Sequence, residues 1–538
     1  MSVAPLKPSE AQKLAVQNIA KWGDTDVFPF APENHILHDR PSDVVSALAE
    51  IDLDLDRAMV ANPPIIEGAL SLVTYEGFRW VTQLDPLWNS YFLSTVLQVA
   101  AQIEDARIEV DRKTVFSYRF QPDSTNASLF ASSAWHDFSE ATQEIAQEYE
   151  YVAVCDIADF YGRIYHHRIE NSLKLLPRSG AVPSKVNKLL STFSGGVSYG
   201  LPVGGPAARM LSELLLNRTD RLLSAHGIRF CRFADDYRLF AHTREDAFRN
   251  LVLLTQILLR NEGLALQRHK TRVVATKDFL RSPLFMPEES DELTPMERQE
   301  RRLLRLSIRY DPYSITAEED YDRLKSDIEQ FDILGMLTAE VSKSRVNTPV
   351  VKRLAQVVKL LEPDVRDAAA DMLVTNLDVL APALPVVLRV LEDVYPDLSP
   401  QLQAFIPREI RRRIQDEYYW ITVPINLSYA LRVLQHDRAE ENIALCTTLF
   451  DSSPPFIQRD IVYLMHHWGA DFWLSDKRRQ WVGQHSWVKR ALMLASFSLG
   501  DEGSHWRRSV GNQFGSFDII ANSWMSDRRK ANQSDLPL

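Results

Sequence analysis

Cysteine is scarce: three residues in 538, Cys155, Cys231 and Cys446, with no C-x-x-C spacing. That argues against a disulfide scaffold or a structural zinc site and suits a reducing, cytoplasmic setting. Long apolar runs are missing too. No uninterrupted stretch approaches the roughly 20 residues of a membrane span, so no membrane partner is expected. The opening "MSVAPLKPSEAQKLAV" lacks a basic segment followed by an apolar core, and no secretory leader is expected from it. Nor is there an excess of positive charge, since 61 Lys and Arg against 72 Asp and Glu leave a net charge of −11. A general nucleic-acid coat protein would ordinarily be basic, although a local basic groove is compatible with an acidic whole. What is there, 45% hydrophobic and 25% charged residues, is the mixture of a soluble globular chain. The length allows about two to four domains.

The first 145 residues mix helical patterns with Pro-marked turns such as "ANPPIIEG". At residue 151 the character changes, and "YVAVCDI" reads as a short buried strand. Helical patterns follow, then the Gly-rich "SGGVSYGLPVGGP" and a long helix, "AARMLSELLLNRTDRLLSA". Next come a hairpin, a second helix "EDAFRNLVLLTQILLRNEG" and a strand-like "HKTRVVAT". The order strand, helix, hairpin, helix, strand predicts a small α+β sheet domain over 146–277. A helical connector, polar at its start in "SPLFMPEESDELTPMERQERRLLRL", is expected over 278–340. Residues 341–538 read as successive amphipathic helices, several starting at a proline: Pro349, Pro363, Pro385 and Pro424. Helices of this length with short connections predict stacked pairs of the HEAT-like kind, without a strict repeat consensus. The polar tail, "NSWMSDRRKANQSDLPL", is expected to fray.

The hairpin "IRFCRFADDYRLFAH" (228–242) places Asp235 and Asp236 side by side between two apolar runs. Adjacent carboxylates repel and are costly to bury. Alone, such a pair is ordinarily a solvated turn, and an aspartate ending a strand is ordinarily a helix cap. Their order carries the weight: strand-Asp at Asp156, a Gly-rich turn into a helix, then Ala-Asp-Asp in a hairpin. A divalent cation makes sense of them. Mg²⁺ takes a few carboxylate oxygens together with substrate phosphates, and two such ions can serve both oxygens of a phosphoryl transfer.

This series resembles the palm motifs of reverse transcriptases. "CDIADFY" is similar to the first motif, "YGLPVGGPAARMLSELLL" to the second, "FADDY" to the third and "GLALQRHKT" to the fourth. The details "DIADFYGRIYHHRI", "VFSYRF" and "LPVG" look more like the bacterial defence-associated, abortive-infection (AbiK-type) enzymes than retroviral or intron ones. Those pair a polymerase-like domain with a C-terminal α-helical repeat domain. The resemblance implies fingers within 1–145 and a palm over 146–277. It implies two Mg²⁺ ions, with Mn²⁺ as an alternative, on Asp156, Asp235 and Asp236, the Ile157 carbonyl completing the shell. Tyr161 falls where the family keeps a bulky side chain beneath the sugar, favouring deoxynucleotides. Gly200, Pro202 and Gly204 match the loop beside nucleotide and template, where missing side chains permit close approach. Lys270 matches a lysine that partners the pyrophosphate leaving group. Arg79, in "GFRWVTQLDPLW", aligns loosely with a fingers arginine that neutralises the triphosphate.

The departures point the same way. Val203 stands where many templated enzymes carry glutamine, and Ala207 or Ala208 stands where a serine is common. No clear thumb module follows the fourth motif. The expected activity is therefore DNA synthesis from dNTPs in antiphage defence, untemplated and primed from a protein hydroxyl. The expected partners are dNTPs, a single-stranded DNA product and further copies of the chain. The rivals are an RNA-templated reverse transcriptase using a dedicated noncoding RNA and a non-catalytic nucleic-acid-binding scaffold. A more remote one is a ribonuclease built on Arg459 and His466. The bland reading of "PREIRRRIQDEYYW" (407–420) is a solvated helix face, against a basic track for nucleic acid.

Overall fold

The computed structural model describes residues 4–281, 294–306, 317–533 and 535–537. The stretch "SPLFMPEESDELT" assigned to the connector lies outside them apart from its last residue, Thr294, as does "SIRY" at 307–310. The chain forms two units. One comprises Met1–Gly68, Trp80–Met286 and Gly511–Arg528; the other comprises Ala69–Arg79, Pro287–Val510 and Arg529–Leu538. Among the described residues no helix is long and apolar enough to cross a membrane.

Among the described residues there are three sheets. Two are hairpins that the sequence reading did not identify: β1 (Ile66–Leu72) with β2 (Phe78–Leu84), and β3 (Phe120–Asp123) with β4 (Ser128–Phe130). The third is the predicted palm sheet, built from β5 (Tyr151–Asp156), β6 (Arg229–Phe233), β7 (Asp236–Ala241) and β8 (Arg272–Ala275). Its strand order is β6-β7-β5-β8, antiparallel throughout. Val152, Ala153 and Cys155 are fully buried, because β5 is central and covered on both faces. One face packs under helix Ala134–Ala146, with Phe116, Phe138, Ile145, Val152, Cys231 and Phe240 in one apolar cluster. Helix Arg244–Ile257 also packs on β5, β7 and β8. Its first turn is capped by Thr243, whose hydroxyl accepts from the Asp246 amide at 3.1 Å.

In the second unit the proline-marked starts are found in place. Helices begin at Thr348, Pro363, Leu384 and Pro424, each with proline in its first turn. Packing runs between alternate helices. Thr348–Val357, Leu384–Val394, Pro424–Val433, Pro455–His467 and Ser486–Ala495 form one row. Ile333–Val341, Pro363–Thr375, Pro400–Gln415 and Glu440–Phe450 form the other. Two rows of successively stacked helices are the arrangement of an α-solenoid. The basic run is spent inside this unit: Arg411 donates to Asn442, Arg412 pairs with Glu409 and Asp416, and Arg413 donates to the Val374 carbonyl. Arg459 is buried against Asp460 at 3.2 Å, and His466 is buried as well, so neither presents a nucleolytic surface.

Two expectations about boundaries change. The tip of the β1–β2 hairpin, expected within 1–145, groups with the helical unit. There the Tyr75 hydroxyl donates to the Val379 carbonyl at 2.6 Å and accepts from the Val346 amide at 3.0 Å. The tail is not frayed over its whole length. Helix Ser516–Lys530 buries Phe517, Ala521, Trp524 and Met525, and the Trp524 indole donates to Asp39 at 2.7 Å. Polar composition hid this, because the buried residues recur at helical spacing among charged ones. Trp524→Ala should therefore destabilise the first unit by about 3–5 kcal/mol, read as a lower urea midpoint. A frayed tail would leave that midpoint unchanged.

Candidate active site

Asp156 ends β5, Asp236 begins β7, and the two stand opposite one another in the ladder. Opposite residues of an antiparallel pair hold their Cβ atoms about 4.5–5.5 Å apart. Asp235 lies in the two-residue turn between Phe233 and Asp236, which themselves face each other across β6 and β7. Such turns call for positive φ and favour glycine or asparagine. Here the position is taken by Ala234, at φ 51°. The Ile157 amide donates to the Asp235 carbonyl at 3.1 Å and joins the turn to the end of β5.

Burial dominates the electrostatics of the carboxylates, and crowding of like charge adds to it at Asp235. Burial, and then repulsion from Asp156, pushes the Asp235 carboxyl up to about 7. Burial also raises Asp156, against the opposing pull of Lys270. The Lys270 ammonium donates to Asp156 Oδ2 at 3.0 Å, and Arg238 donates to Asp236 Oδ1 at 3.4 Å. With their carboxylates turned to these cations, the described residues present no ready cluster of three or more His, Cys, Asp or Glu donors for a metal ion. The donor chemistry nonetheless suits one. All three side chains are hard oxygen donors, and the raised carboxyls of Asp156 and Asp235 mark a site short of positive charge.

The other predicted residues are distributed unevenly. Lys270 follows Gln267, whose amide donates to the Asp156 carbonyl at 2.7 Å, so the fourth motif is tied to the first. Ile157 is buried beside the turn. The Tyr161 hydroxyl is buried without a hydrogen-bond partner at full geometry, near Tyr118, Arg209, Ser212 and Asp235. Pro202 and Val203 are buried, as are Ala207 and Ala208, so this strip is apolar. The Tyr161 carbonyl accepts from the Leu201 amide at 2.8 Å, and Gly200 donates to the Ile164 carbonyl at 2.9 Å. Gly204 has φ 102°, and a Cβ there would meet Thr25 Oγ1 at 2.4 Å and Asp26 Oδ1 at 2.7 Å. The close approach that Gly204 permits is thus made by the chain's own N-terminal turn. Arg209 reinforces it, pairing with Asp26 at 2.7 Å. Arg79 is exposed on β2, in the part of the hairpin that groups with the second unit.

Sequence reasoning missed the support beneath the hairpin. Side chains alternate along strands, so Arg232 and Tyr237 project from the face opposite to Asp236 and Arg238. Arg232 is fully buried. It grips Asp220 with two nitrogens, at 2.9 and 2.7 Å, and Glu213 with two, at 3.1 and 2.9 Å. Glu213 is also held by Arg107 at 2.7 Å and by the Ser117 hydroxyl at 2.6 Å, while the Tyr237 hydroxyl donates to Asp220 at 3.3 Å. Burial opposes the charge on Glu213, but the Arg232 and Arg107 guanidiniums hold its carboxyl below the ordinary range. The one available hint was Glu213 and Asp220, spaced seven apart on an otherwise apolar helix face.

Residues 99–335 match the family model described as reverse transcriptase (RNA-dependent DNA polymerase). That stretch is a reverse-transcriptase domain. Two solved structures are also similar. Telomerase from Candida albicans, in complex with a fragment of telomeric RNA, is 10% identical with TM-score 0.31, covering 76% of this chain and 67% of that one. Apo telomerase from Candida tropicalis is 10% identical with TM-score 0.29, covering 76% and 71%. Likeness at that level carries no argument about function. No curated protein matches the chain.

The raised Asp235 carboxyl has a consequence for the stability of the reverse-transcriptase domain. Its folded pKa lies above the unfolded one, so its contribution to stability is full below about pH 4 and is lost as pH rises through 7. In chelated protein Asp235→Asn should raise stability at pH 8 by about 2–4 kcal/mol, with the gain shrinking towards pH 5. Urea titrations at the two pH values read it. A gain independent of pH would mean that the carboxylates are not crowded. Added Mg²⁺ should stabilise the wild type more than the variant.

Proposed function

We propose that this chain is a DNA polymerase of the reverse-transcriptase type that synthesises DNA from dNTPs without a template, primed from a protein hydroxyl, in cytoplasmic defence against phage. The observation that carries the polymerase reading is the register that sets Asp156 against Asp236 with Asp235 in the turn between β6 and β7. Divalent ions bound there would supply charge neutralisation for a hydroxyl attacking the α-phosphate and for the departing pyrophosphate. Asp156, Asp235 and Asp236 would hold them once Lys270 and Arg238 release the carboxylates. Lys270, then free beside Asp156, is placed to pair with the pyrophosphate or give it a proton. The half-buried Tyr161, with its hydroxyl turned inside, would set a wall beneath the sugar.

The untemplated reading is supported by the second motif. Val203, Ala207 and Ala208 offer no polar group to a template strand. The space beside Gly204 is filled by Thr25 and Asp26. The free, buried cysteines suit a reducing compartment. The stacked helical rows of the second unit support the helical repeat domain that the resemblance to the abortive-infection enzymes implies, and we assign them to self-association or to holding the single-stranded product. The family description itself, RNA-dependent DNA polymerase, favours one rival: copying of a dedicated RNA. A non-catalytic scaffold is disfavoured, because crowded carboxylates with no use would only cost stability.

Purified protein with Mg²⁺ and labelled dNTPs, and no added nucleic acid, tests this. Label should enter a nuclease-sensitive product that stays on protein until proteolysis. Asp235→Ala/Asp236→Ala should lower incorporation by about 1,000-fold or more. Synthesis only on addition of RNA template and primer would replace the untemplated reading with the templated one. Equal incorporation by the double variant would end the polymerase assignment.

A further inference from the structure

The turn carrying Asp235 has an unfavourable backbone conformation, and Arg232, the residue just before "FADDY", reaches it. Ala234 sits at φ 51°, a region that costs a residue with a Cβ roughly 1–2 kcal/mol relative to glycine. Such a conformation persists only where surrounding contacts over-determine it. One contact reaches the peptide concerned: Arg232 Nη1 donates to the Ala234 carbonyl at 2.9 Å. The remaining donors of that guanidinium go to Asp220 and Glu213 on helix Pro206–Ala225, so it cannot swing. Glu213 is braced in turn by Arg107 and Ser117. Two arginines and two carboxylates balance, and among them Arg232 holds its charge firmly: burial works against it, but Asp220 and Glu213 keep its pKa well above the ordinary range.

We propose that Arg232 is a positioning residue. It clamps the Ala234 carbonyl, keeps the turn left-handed, and thereby sets where the Asp235 carboxylate stands relative to Asp156. The clamp transmits the position of the second-motif helix to the carboxylate-bearing turn. A planar fork with five donors is needed, because it must satisfy two carboxylates and one carbonyl at once. Lysine keeps the charge and loses the fork. Its bearing on catalysis rests on the polymerase reading; the clamp itself does not.

The test combines Arg232→Lys with Ala234→Gly, since glycine adopts the same φ without strain. Hydrogen exchange of the peptide 229–241 is read in metal-free protein, beside kcat and KM for dNTP incorporation. Arg232→Lys should speed exchange at 233–236 by about tenfold or more and lower kcat with KM within about twofold. The double variant should recover most of both. A residue that merely supports the fold would show no rescue by Ala234→Gly, and that result overturns the clamp. So does wild-type protection in Arg232→Lys. Should Arg232→Lys fail to fold, Ser117→Ala loosens Glu213 without stranding a buried charge. It should shift exchange and kcat in the same direction by a smaller factor, again relieved by Ala234→Gly; no shift refutes the proposal. If the wild type incorporates no nucleotide under any condition, the polymerase reading fails while the exchange data still decide the clamp.

Discussion

Repulsion among Asp156, Asp235 and Asp236 is the constraint around which the first unit is arranged. Pairing β5 with β7 in this register leaves the carboxylates no means of separating, since the ladder fixes Asp156 opposite Asp236 and the short turn fixes Asp235 beside it. The chain supplies two cations, Lys270 and Arg238, but neither pairs with Asp235, whose carboxyl is pushed up to about 7. A fold that tolerates this must have stability from elsewhere, and a site that retains it is prepared for added positive charge.

Support comes from the opposite face of the same hairpin. Strand alternation sends Arg232 and Tyr237 away from the carboxylates and into contact with helix Pro206–Ala225. The two faces are thus charged in complementary ways. One is under-compensated and open to ligands; the other is closed, with the Arg232 guanidinium paired to Asp220, Glu213 and the Ala234 carbonyl. A satisfied buried network rigidifies its surroundings, which a strained turn requires. The Gly-rich segment before that helix plays a different part from the one its composition suggested. Gly204 makes room for Thr25 and Asp26, and Arg209 holds Asp26 in place, so the N-terminal turn forms part of the palm's surround.

Much of the architecture was legible because it depends on local pattern. The strand Tyr151–Asp156, the hairpin, both palm helices and the closing strand follow from apolar runs and turn residues, and the helical unit announced itself through prolines at helix starts. Lys270 and the aspartates were legible through their order. Other features were not, for reasons of distance. Tyr75 meets Val379 across about 300 residues of chain, and Trp524 meets Asp39 across nearly 500; no local pattern encodes either contact. Arg79 shows the converse, a motif match whose place in the fold is with the other unit.

The sequence by itself picked out the residues proposed to carry the chemistry, because carboxylates at a strand end and a hairpin tip in that order are a local, ordered signal. It also determined the division into an α+β sheet domain and a helical region, through the change of hydrophobic period from two to three or four. Only the tertiary structure decided what those residues experience: the burial and crowding that raise Asp235, the cations that hold Asp156 and Asp236, and the arginine that donates to the Ala234 carbonyl. Each of these is an interaction between segments far apart in the chain. Burial and charge neighbours, which set their strength, do not exist until the chain has folded.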